Sequence, residues 1–462
     1  MKICLTGATG FIGKNLLKRF EKRNDLEVIA LSRKVSPIMD NAKKGNITWV
    51  RCNGFSLLDA ERATEGADVL IYLIHSMLPS SALAQGDFSD FDLYLADNFA
   101  RAARKNGVKK IIYLSGLIPE GENLSNHLKS RLEVEGVLSQ FGNSVTVLRS
   151  GLIVGENGSS FRILEKLVKR LPAFVCPAWT LSQTQPIDLE DVLESIEYCL
   201  SEEHANKIYD IGGPDIITYK KMLELTSDVL GKRRPIINIP FFSPELSKLW
   251  VSKVTSTPPS LVYPLVESLK HKMVVDPQKQ LVIPNHKYKK FLTSLKKGVK
   301  KDGDNFVRSI INYNASFSFR WLENVTSIQR ICLQRDFTAA ELADSYFTWL
   351  PRFLGPIIQV KVDEGRVVFK FFSLTTLLEL EKCVDRSGED RVFYYIRGGL
   401  LARETTLNGR LEFRVVKELS CAIAALLDYR PSLPWFIYKY TQALFHLFVM
   451  KRFERFVEKS KN

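Results

Sequence analysis

Three glycines near the start of the chain have the spacing of a phosphate-binding turn. They are Gly7, Gly10 and Gly13. An apolar run at residues 2–5 precedes them and a stretch with helical spacing begins at Lys14, so they fall at a strand-to-helix turn. The first suits a tight turn, the second lets backbone amides approach a phosphate, and the third lets the helix pack closely on the strand. Because a helix start attracts anions, this turn predicts a pyrophosphate site.

Two cations follow the second predicted strand, where a dinucleotide's ribose is recognised. Residues 26–31 form an apolar run that ends just before Arg33 and Lys34. An acidic side chain there would hold a ribose 2′-hydroxyl, whereas a cation accommodates a 2′-phosphate. Arg33 and Lys34 therefore favour NADP(H) as the cofactor, with NAD(H) as the alternative. Alternatively, Arg33 and Lys34 are ordinary solvated surface charges, and they then indicate no preference between the two cofactors.

Further apolar runs alternate with helical stretches through the first 150 residues. The runs cover residues 47–52, 69–74, 110–114 and 145–149, and a helix is predicted over 91–106. This alternation predicts an α/β fold with a doubly wound parallel Rossmann sheet, which binds ligands at the carboxyl ends of its strands. The strand-end residues expected to contact the cofactor are Asn53, at the adenine, and Leu73, Ile74, His75 and Ser115. A histidine at a strand end can instead satisfy a backbone group.

Composition bounds the class of protein. A chain of 462 residues is too long for one ordinary hydrophobic core, so more than one domain is expected. Its 45% hydrophobic and 25% charged residues are typical of a soluble globular protein. Seven scattered cysteines indicate neither a disulfide framework nor a metal site. The most apolar region, residues 440–450, has only eleven uncharged residues and is too short to span a bilayer, and the N-terminus has no signal-peptide pattern. We therefore expect a cytoplasmic protein.

Much of the net charge of +14 is local. Ten lysines and one acid, Asp276, occur between Lys270 and Lys301. Such a run is typical of a solvated linker, and it can also contact an anionic membrane surface. No basic-aromatic pattern specific to nucleic acid accompanies it. We place a nucleotide-binding domain at residues 1–290, a basic linker at 291–310 and a second domain at 311–462, and the sequence leaves the oligomeric state open.

Two apolar stretches in the first domain are punctuated by prolines. They lie at residues 155–180 and 235–275, and the second includes helical pieces at 245–254 and 260–270. If they cover a substrate as a small lid, their apolar and aromatic side chains suit a hydrophobic molecule; alternatively, the same residues simply form core.

The second domain has the pattern of an α+β fold. A strand is predicted at residues 326–334, and Thr338 to Glu341 form a capping box that opens a helix ending at Pro351. Six runs with a period of two follow, and in one of them Arg410, Glu412 and Arg414 alternate with apolar residues. The predicted strands are 357–362, 366–372, 377–384, 391–397, 410–416 and 421–428.

One long helix is predicted over residues 434–457. Its aromatic residues could line a ligand cavity or form ordinary core. They are Trp435, Phe436, Phe445, Phe448 and Phe453.

Several motifs together resemble the extended or atypical short-chain dehydrogenases/reductases. They are the turn of residues 6–13, Gly66-Ala-Asp68, Tyr113-Leu-Ser-Gly116 and Arg149-Ser-Gly-Leu-Ile-Val-Gly155. More narrowly, Leu73-Ile-His-Ser-Met77, His127-Leu-Lys-Ser-Arg131 and Ile211-Gly-Gly-Pro214 resemble bacterial members with an uncharacterised C-terminal domain. The resemblance implies that Thr9, Phe11 and Ile12 join the glycines in cofactor binding. The C-terminal domain is similar to the helix-grip arrangement of START-like domains, which hold hydrophobic ligands.

The chain departs from that family at its acid/base pair. Such reductases use a serine, a tyrosine and a lysine four residues after the tyrosine. Ser115 can take the serine position, but His127 and Arg131 fill the other two. Histidine can transfer a proton near neutral pH, and Arg131 could bind ribose or phosphate. Alternatively, both only cap and charge an exposed helix.

Three functions remain open at this point. The first is an NADP(H)-dependent oxidoreductase for a hydrophobic carbonyl or quinone, with Ser115, His127 and Arg131 as catalytic residues. The second is a non-catalytic NADP(H)-binding sensor or assembly factor, because the tyrosine and lysine are missing. The third is lipid binding by the C-terminal domain, aided by peripheral contact of the basic linker with an anionic membrane. None of the three requires a metal.

Overall fold

The computed structural model describes residues 1–33, 42–77, 84–121, 123–239, 244–299, 324–403 and 408–460, without the side chains of residues 244–247 and Trp435. The chain forms two compact units. The first comprises Met1–Leu78 and Leu95–Ala315, and the second comprises Pro79–Tyr94 and Ser316–Asn462.

Strands and helices alternate up to residue 299. The strands are β1 (Lys2–Leu5), β2 (Glu27–Ser32), β3 (Ala42–Lys44), β4 (Ile47–Arg51), β5 (Val69–Tyr72), β6 (Ala84–Gln85), β7 (Lys110–Gly116), β8 (Val145–Ser150), β9 (Ile153–Val154), β10 (Phe174–Pro177), β11 (Gln183–Thr184), β12 (Ile187–Asp188), β13 (Ile208–Ile211), β14 (Ile217–Thr218) and β15 (Ile236–Ile239). The helices are α1 (Phe11–Phe20), α2 (Leu57–Thr64), α3 (Phe88–Lys105), α4 (Asn126–Ser139), α5 (Ser159–Arg170), α6 (Leu189–Tyr198), α7 (Tyr219–Val229), α8 (Pro244–Thr255), α9 (Pro259–Ser268) and α10 (Phe291–Gly298).

The first unit is built on a Rossmann-like sheet, which confirms the predicted fold class. Its strand order is β13-β8-β7-β5-β1-β2-β4-β3, and only the edge pair β3/β4 is antiparallel. All four residues of β5 are buried, as expected for a strand covered on both faces. Because β1 lies between β5 and β2, the order reverses there and opens a ligand crevice at the carboxyl ends.

A small subdomain lies beyond the sheet in the first unit. Strands β10 and β15 pair in parallel, and helices α5 and α8 pack together near them. Val168, Leu171 and Phe174 form the centre of its core, against which Ile236 and Trp250 pack. Both stretches predicted as lid elements therefore contribute to one apolar cluster.

The predicted basic linker begins inside the first unit. Residues 291–298 form the helix α10, whose Phe291 and Leu295 are buried in a cluster with Phe161. Lys289 pairs with Asp188 at 3.0 Å. The first part of the predicted linker is therefore a packed helix, because its apolar residues recur with helical spacing. Residues 300–310 of that linker lie outside the described residues.

The second unit is an antiparallel sheet with helices. Its further strands are β16 (Val325–Cys332), β17 (Ile358–Asp363), β18 (Arg366–Phe371), β19 (Thr375–Lys382), β20 (Arg391–Gly398), β21 (Arg410–Val416) and β22 (Cys421–Tyr429). Its helices are α11 (Ala339–Leu354), α12 (Trp435–Tyr440) and α13 (Gln442–Lys459). The strand order is β17-β18-β19-β20-β21-β22-β16-β6, in which β6 joins β16 in parallel. All seven strands predicted after residue 320 are present.

Two helix ends differ from prediction. The capping box at Thr338 is present, but α11 continues through Pro351 to Leu354. Proline inside a helix removes one backbone hydrogen bond, and packing stabilises the continuation here, because Trp349 stacks on Phe353 at 4.8 Å between ring centroids. The predicted single C-terminal helix is two helices, because Thr441 has the non-helical angles φ −125° and ψ −86°.

Aromatic side chains fill the space between sheet and helices in the second unit. Phe453 is fully buried and contacts Tyr346 and Trp349, at centroid distances of 5.0 and 5.3 Å. Phe436, Phe445 and Phe448 are instead nearly half exposed. The four residues of the predicted aromatic stripe whose side chains are described thus divide between one core residue and three surface residues, and the Trp435 side chain is outside the described part of the chain.

Strand β21 is buried on both faces. Phe413 lies in the apolar core, while Glu412 and Arg414 on the other face are also fully buried. Glu412 accepts hydrogen bonds from Arg391, Arg414 and Tyr94, the first and last at 2.5 and 2.8 Å. The period of two predicted the strand correctly, but it did not reveal that the charged face is enclosed.

Candidate functional site

The predicted pyrophosphate turn has the required geometry. Gly7 has φ +64°, a left-handed conformation that favours glycine, and its carbonyl accepts from the amide of Gly10 at 2.8 Å. A Cβ on Gly13 would lie only 2.3 Å from that same carbonyl. The first-turn amides of α1 have no acceptor within the helix, and Gly10 offers no capping side chain. The turn therefore presents amide donors to an anion and leaves no room for side chains.

A cavity of about 1810 Å³ opens at this turn, along the carboxyl edge of the sheet. It brings together eleven of the residues predicted for the cofactor and the chemistry. They are Gly7, Thr9, Gly10, Phe11, Ile12, Gly13, Leu73, His75, Ser115, His127 and Arg131.

Of the remaining predicted cofactor residues, the three that the structure describes do not line this cavity. Arg33 is exposed directly after β2, and Lys34 lies outside the described residues. The Asn53 side chain accepts from the amide of Phe55 at 3.3 Å, so it shapes its own turn. Neither Asn53 nor Ile74 lines the cavity.

Helix α4 directs one row of polar residues toward the sheet edge. His127, Arg131 and Glu135 are spaced four apart, which puts them on one face of the helix. The Ser115 hydroxyl donates to Glu135 at 2.8 Å, and Arg149 forms an ion pair with the same carboxylate at 2.6 Å. Because Ser115 uses its proton on Glu135, its oxygen is left to accept rather than donate.

Arg131 places a buried cation at the cavity. Its side chain is largely enclosed, and its guanidinium donates to the Tyr113 hydroxyl at 2.9 Å. A positive charge in a water-poor site stabilises nearby negative charge more strongly than it would in water. Arg131 can therefore stabilise an anion that forms in the cavity.

His127 is held as a neutral imidazole. Burial, the neighbouring His75 and Arg131 lower the pKa of His127 well below its usual value. The two imidazole rings lie 5.2 Å apart. His127 Nδ1 lies 3.2 Å from the hydroxyl of Ser268, which donates its own proton to the Pro264 carbonyl. The Nδ1–H group therefore donates to Ser268, and Nε2 carries the lone pair.

The remaining walls of the cavity are mainly apolar and come from the small subdomain. Helix α5, strand β10 and helices α8 and α9 supply them. Examples are Leu164, Leu167, Phe174, Trp250, Val262 and Leu265. A cavity with a polar turn at one end and apolar walls beyond can hold a dinucleotide together with a hydrophobic molecule.

Three of these contacts were missed by the sequence analysis. Glu135, Tyr113 and Ser268 bind the predicted residues Ser115, Arg131 and His127 respectively. The four-residue spacing along α4 was a signal that could have identified Glu135. Ser268 lies far away in sequence on α9, so no local pattern pointed to it.

The described residues also contain one group with metal-ligand atoms close together. Cys332, Glu454 and Glu458 place a thiol and two carboxylates within 4.8 Å of one another in the second unit. Burial and both carboxylates raise the pKa of the thiol, which keeps it protonated, and two of the three residues are exposed. Of the helices described, none has the length and apolarity to cross a membrane.

Comparison with known proteins supports the cofactor assignment. Residues 7–168 match a family model described as NAD(P)H-binding. The chain is 35% identical over 125 residues to the auxiliary protein GraX of Staphylococcus aureus, which is 27% of this chain and 39% of GraX. It is 21% identical over 241 residues to NADH dehydrogenase [ubiquinone] 1 alpha subcomplex subunit 9 of Arabidopsis thaliana, which is 51% of this chain and 59% of that protein. The chain thus spans less than two thirds of either relative.

Solved structures share the fold of the first unit. A nucleoside-diphosphate-sugar epimerase from Staphylococcus aureus matches with a TM-score of 0.51 and 17% identity, over 64% of this chain and all of that one. Citrobacter sp. triphenylmethane reductase complexed with NADP(H) matches with a TM-score of 0.50 and 17% identity, over 65% of this chain and all of that one.

The first unit is therefore an NAD(P)H-binding domain with a Rossmann-like fold. The structure fits this cofactor independently. The close approach of Gly13 to Gly7 and the donors of the first helical turn form a cradle for a pyrophosphate.

Proposed function

We propose that the first unit is an NADPH-dependent reductase whose acceptor is a bulky, quinone-like molecule. The observation that carries this proposal is the cavity of about 1810 Å³, in which the glycine turn and the apolar walls are continuous. A bound nicotinamide dinucleotide would supply the hydride. The apolar walls would bind and dehydrate the acceptor.

The proton chemistry of the cavity favours a quinone over a simple carbonyl. Hydride transfer to a ketone leaves an alkoxide that must gain a proton, and His127 is neutral with Nδ1 bonded to Ser268. Hydride transfer to a quinone leaves a delocalised hydroquinone anion, which water can protonate afterwards. Arg131 would stabilise that anion while it remains bound.

The test is NADPH consumption with a panel of quinones and ketones. We expect quinones to be reduced and simple ketones to remain unchanged. Arg131→Gln should lower kcat by about tenfold or more, with Arg131→Lys retaining most of it. An increase in the KM for NADPH at constant kcat would instead assign Arg131 to the cofactor.

His127 distinguishes the two acceptor classes. With a quinone, His127→Ala should keep kcat within about threefold of the parent, because no acid is needed during hydride transfer. The neighbouring, exposed Asn126→Ala is the matched control on the same helix. A large loss of turnover in His127→Ala alone would restore His127 as the acid and favour a carbonyl substrate.

A second candidate is a non-catalytic NADP(H)-binding sensor or assembly factor. Ser115 directs its proton to Glu135 rather than into the cavity, and the tyrosine and lysine of related reductases are replaced. Two relatives are named as an auxiliary protein and as a subunit of a larger dehydrogenase. NADPH binding without consumption across the acceptor panel would favour this function.

We also propose that the second unit is a helix-grip-like domain. Its support is the antiparallel sheet against which α11 and α13 pack through Tyr346, Phe413 and Phe453. Because these rings occupy the space between sheet and helices, a role of this unit in lipid contact is better sought on its surface. Titration with fluorescent fatty acids tests the alternative, since stoichiometric binding inside the unit would contradict a filled interior.

A further inference from the structure

The second unit carries a surface on α12 and α13 that is aromatic at one end and cationic at the other. We call it the aromatic-basic surface. Its apolar members are between 39% and 69% exposed. They are Phe436, Ile437, Tyr440, Leu444, Phe445 and Phe448. Soluble proteins rarely leave so many large apolar side chains uncovered along one short segment, so this surface requires an explanation.

These side chains are not a misassigned part of the core. Helix α13 buries Met450, Phe453 and Val457 on a different side. Phe445 and Phe448 are three residues apart on the exposed side, and Arg452 continues the same row one turn later. The helix therefore already has a core-facing side, and the exposed row is additional to it.

The cations are concentrated on the same two helices. They are Lys439, Lys451, Arg452, Arg455 and Lys459, all exposed. No acidic residue occurs between Asp428 and Glu454. The Arg452 guanidinium lies 5.3 Å from the centre of the Phe448 ring, so cationic and aromatic groups are in direct contact. Glu454 and Glu458 on the same helix offset two of the five cations, so the surface combines apolar side chains with a net positive charge.

We propose that the aromatic-basic surface docks the protein on an anionic lipid bilayer. Aromatic and leucine side chains on one face of an amphipathic helix enter the boundary between headgroups and acyl chains. Lysine and arginine beside them attract anionic headgroups. Because no described helix can cross a membrane, the helices would lie in the plane of the interface. This proposal does not depend on the function proposed for the first unit.

Charge favours a membrane over a second copy of the chain. A two-fold interface through this surface would bring together two identical patches, each with a net positive charge. Juxtaposed like charges oppose association. An anionic bilayer supplies the complementary charge and an apolar layer at the same time.

The experiment is flotation of the full-length protein with vesicles. Phosphatidylcholine vesicles with and without phosphatidylglycerol are compared, at about 0.1 M and about 1 M salt, where the Debye length falls from about 10 to about 3 Å. We expect binding to the anionic vesicles that weakens at least about tenfold on omission of phosphatidylglycerol or on addition of salt.

Two sets of variants assign that binding to the surface. Phe445→Ser with Phe448→Ser should weaken vesicle binding at least about tenfold, because two interfacial rings are removed. The control is Val384→Ser with Leu400→Ser, which removes two exposed apolar side chains elsewhere in the second unit. Circular dichroism and NADPH binding verify that each variant is folded.

The charge variants decide the question if the aromatic variant does not fold. Lys439→Gln, Lys451→Gln and Arg452→Gln combined should also weaken binding to anionic vesicles about tenfold or more. Their control is a triple glutamine variant at exposed cations away from α12 and α13. These are Lys361, Arg366 and Arg403.

Three results would overturn the proposal. The first is that anionic vesicles do not bind the parent protein. The second is binding that the charge variants and their control weaken equally. The third is a concentration-dependent dimer that Phe445→Ser with Phe448→Ser dissociates, because a second copy would then cover the surface.

Discussion

The two units differ in what lies between their sheet and their helices: the first contains a cavity, and the second is filled by aromatic side chains. In the first unit, glycines at strand ends and an apolar subdomain leave a cavity of about 1810 Å³ at the sheet edge. In the second, Tyr346, Trp349 and Phe453 meet one another between sheet and helices. The difference teaches that small residues at a strand-helix turn indicate a ligand site more reliably than an aromatic stripe on a helix does.

Truncating one apolar side chain in each unit should test that contrast directly. Phe453→Ala should lower the free energy of unfolding by about 3–5 kcal/mol, because a fully buried ring leaves a void. Leu265→Ala, on the cavity wall, should cost about 1 kcal/mol or less, because its side chain already borders open space. Chemical denaturation measures both, and equal losses would contradict a filled second unit.

The buried carboxylate of β21 should be equally important to the second unit. Glu412→Gln should cost about 3–5 kcal/mol of unfolding free energy, because Arg391 and Arg414 would remain buried without their counter-charge. Glu418→Gln, an exposed carboxylate close in sequence, is the control. A loss below about 1 kcal/mol would mean that water reaches the arginines.

The same carboxylate predicts the acid sensitivity of the second unit. Arg414 and Arg391 overcome the effect of burial and lower the pKa of Glu412 below its usual 4.5. Below that pH the unfolded chain takes up a proton that the folded chain does not, so stability is present above pH 4.5 and lost as the pH falls. Glu412→Gln should flatten this part of the pH dependence in denaturation measurements from neutral pH downward.

In the first unit, the glycine turn should control the affinity for NADPH. Gly13→Ala should weaken NADPH binding by about 1–3 kcal/mol, because the new Cβ would lie 2.3 Å from the Gly7 carbonyl and displace the turn. Gly136→Ala is the matched control, since nothing lies within 4 Å of its added Cβ. Fluorescence titration with NADPH distinguishes them, and an unchanged affinity in Gly13→Ala would place the cofactor elsewhere.

The smallest expected effect concerns the choice between the two dinucleotides. Arg33→Ala should weaken NADPH binding about tenfold and leave NADH binding unchanged, if Arg33 contacts the 2′-phosphate. Equal weakening of both cofactors would contradict a role in discrimination. Because Arg33 is exposed and does not line the cavity, this measurement tests the part of the site that the geometry supports least.

The sequence by itself determined six strands of the first unit's sheet, the seven strands predicted after residue 320 and the glycine turn. The glycine spacing, the buried apolar run of β5 and the period of two in β16 to β22 are local patterns, and each predicted its element to within a few residues. The capping box at Thr338 is equally local and is also present. Local signals suffice here because backbone geometry and side-chain alternation depend on near neighbours.

Only the tertiary structure decided which side chains are enclosed and which meet. In the folded chain, Ser268 contacts His127 although the two are 141 residues apart in sequence. Glu412 lies on the charged face of β21 and is nevertheless fully buried. Phe445 and Phe448 are exposed to solvent. The break at Thr441 divided one predicted helix into two. These outcomes depend on what packs against each element. The sequence pattern shows which residues share a face of a helix or strand, but it does not show what that face packs against.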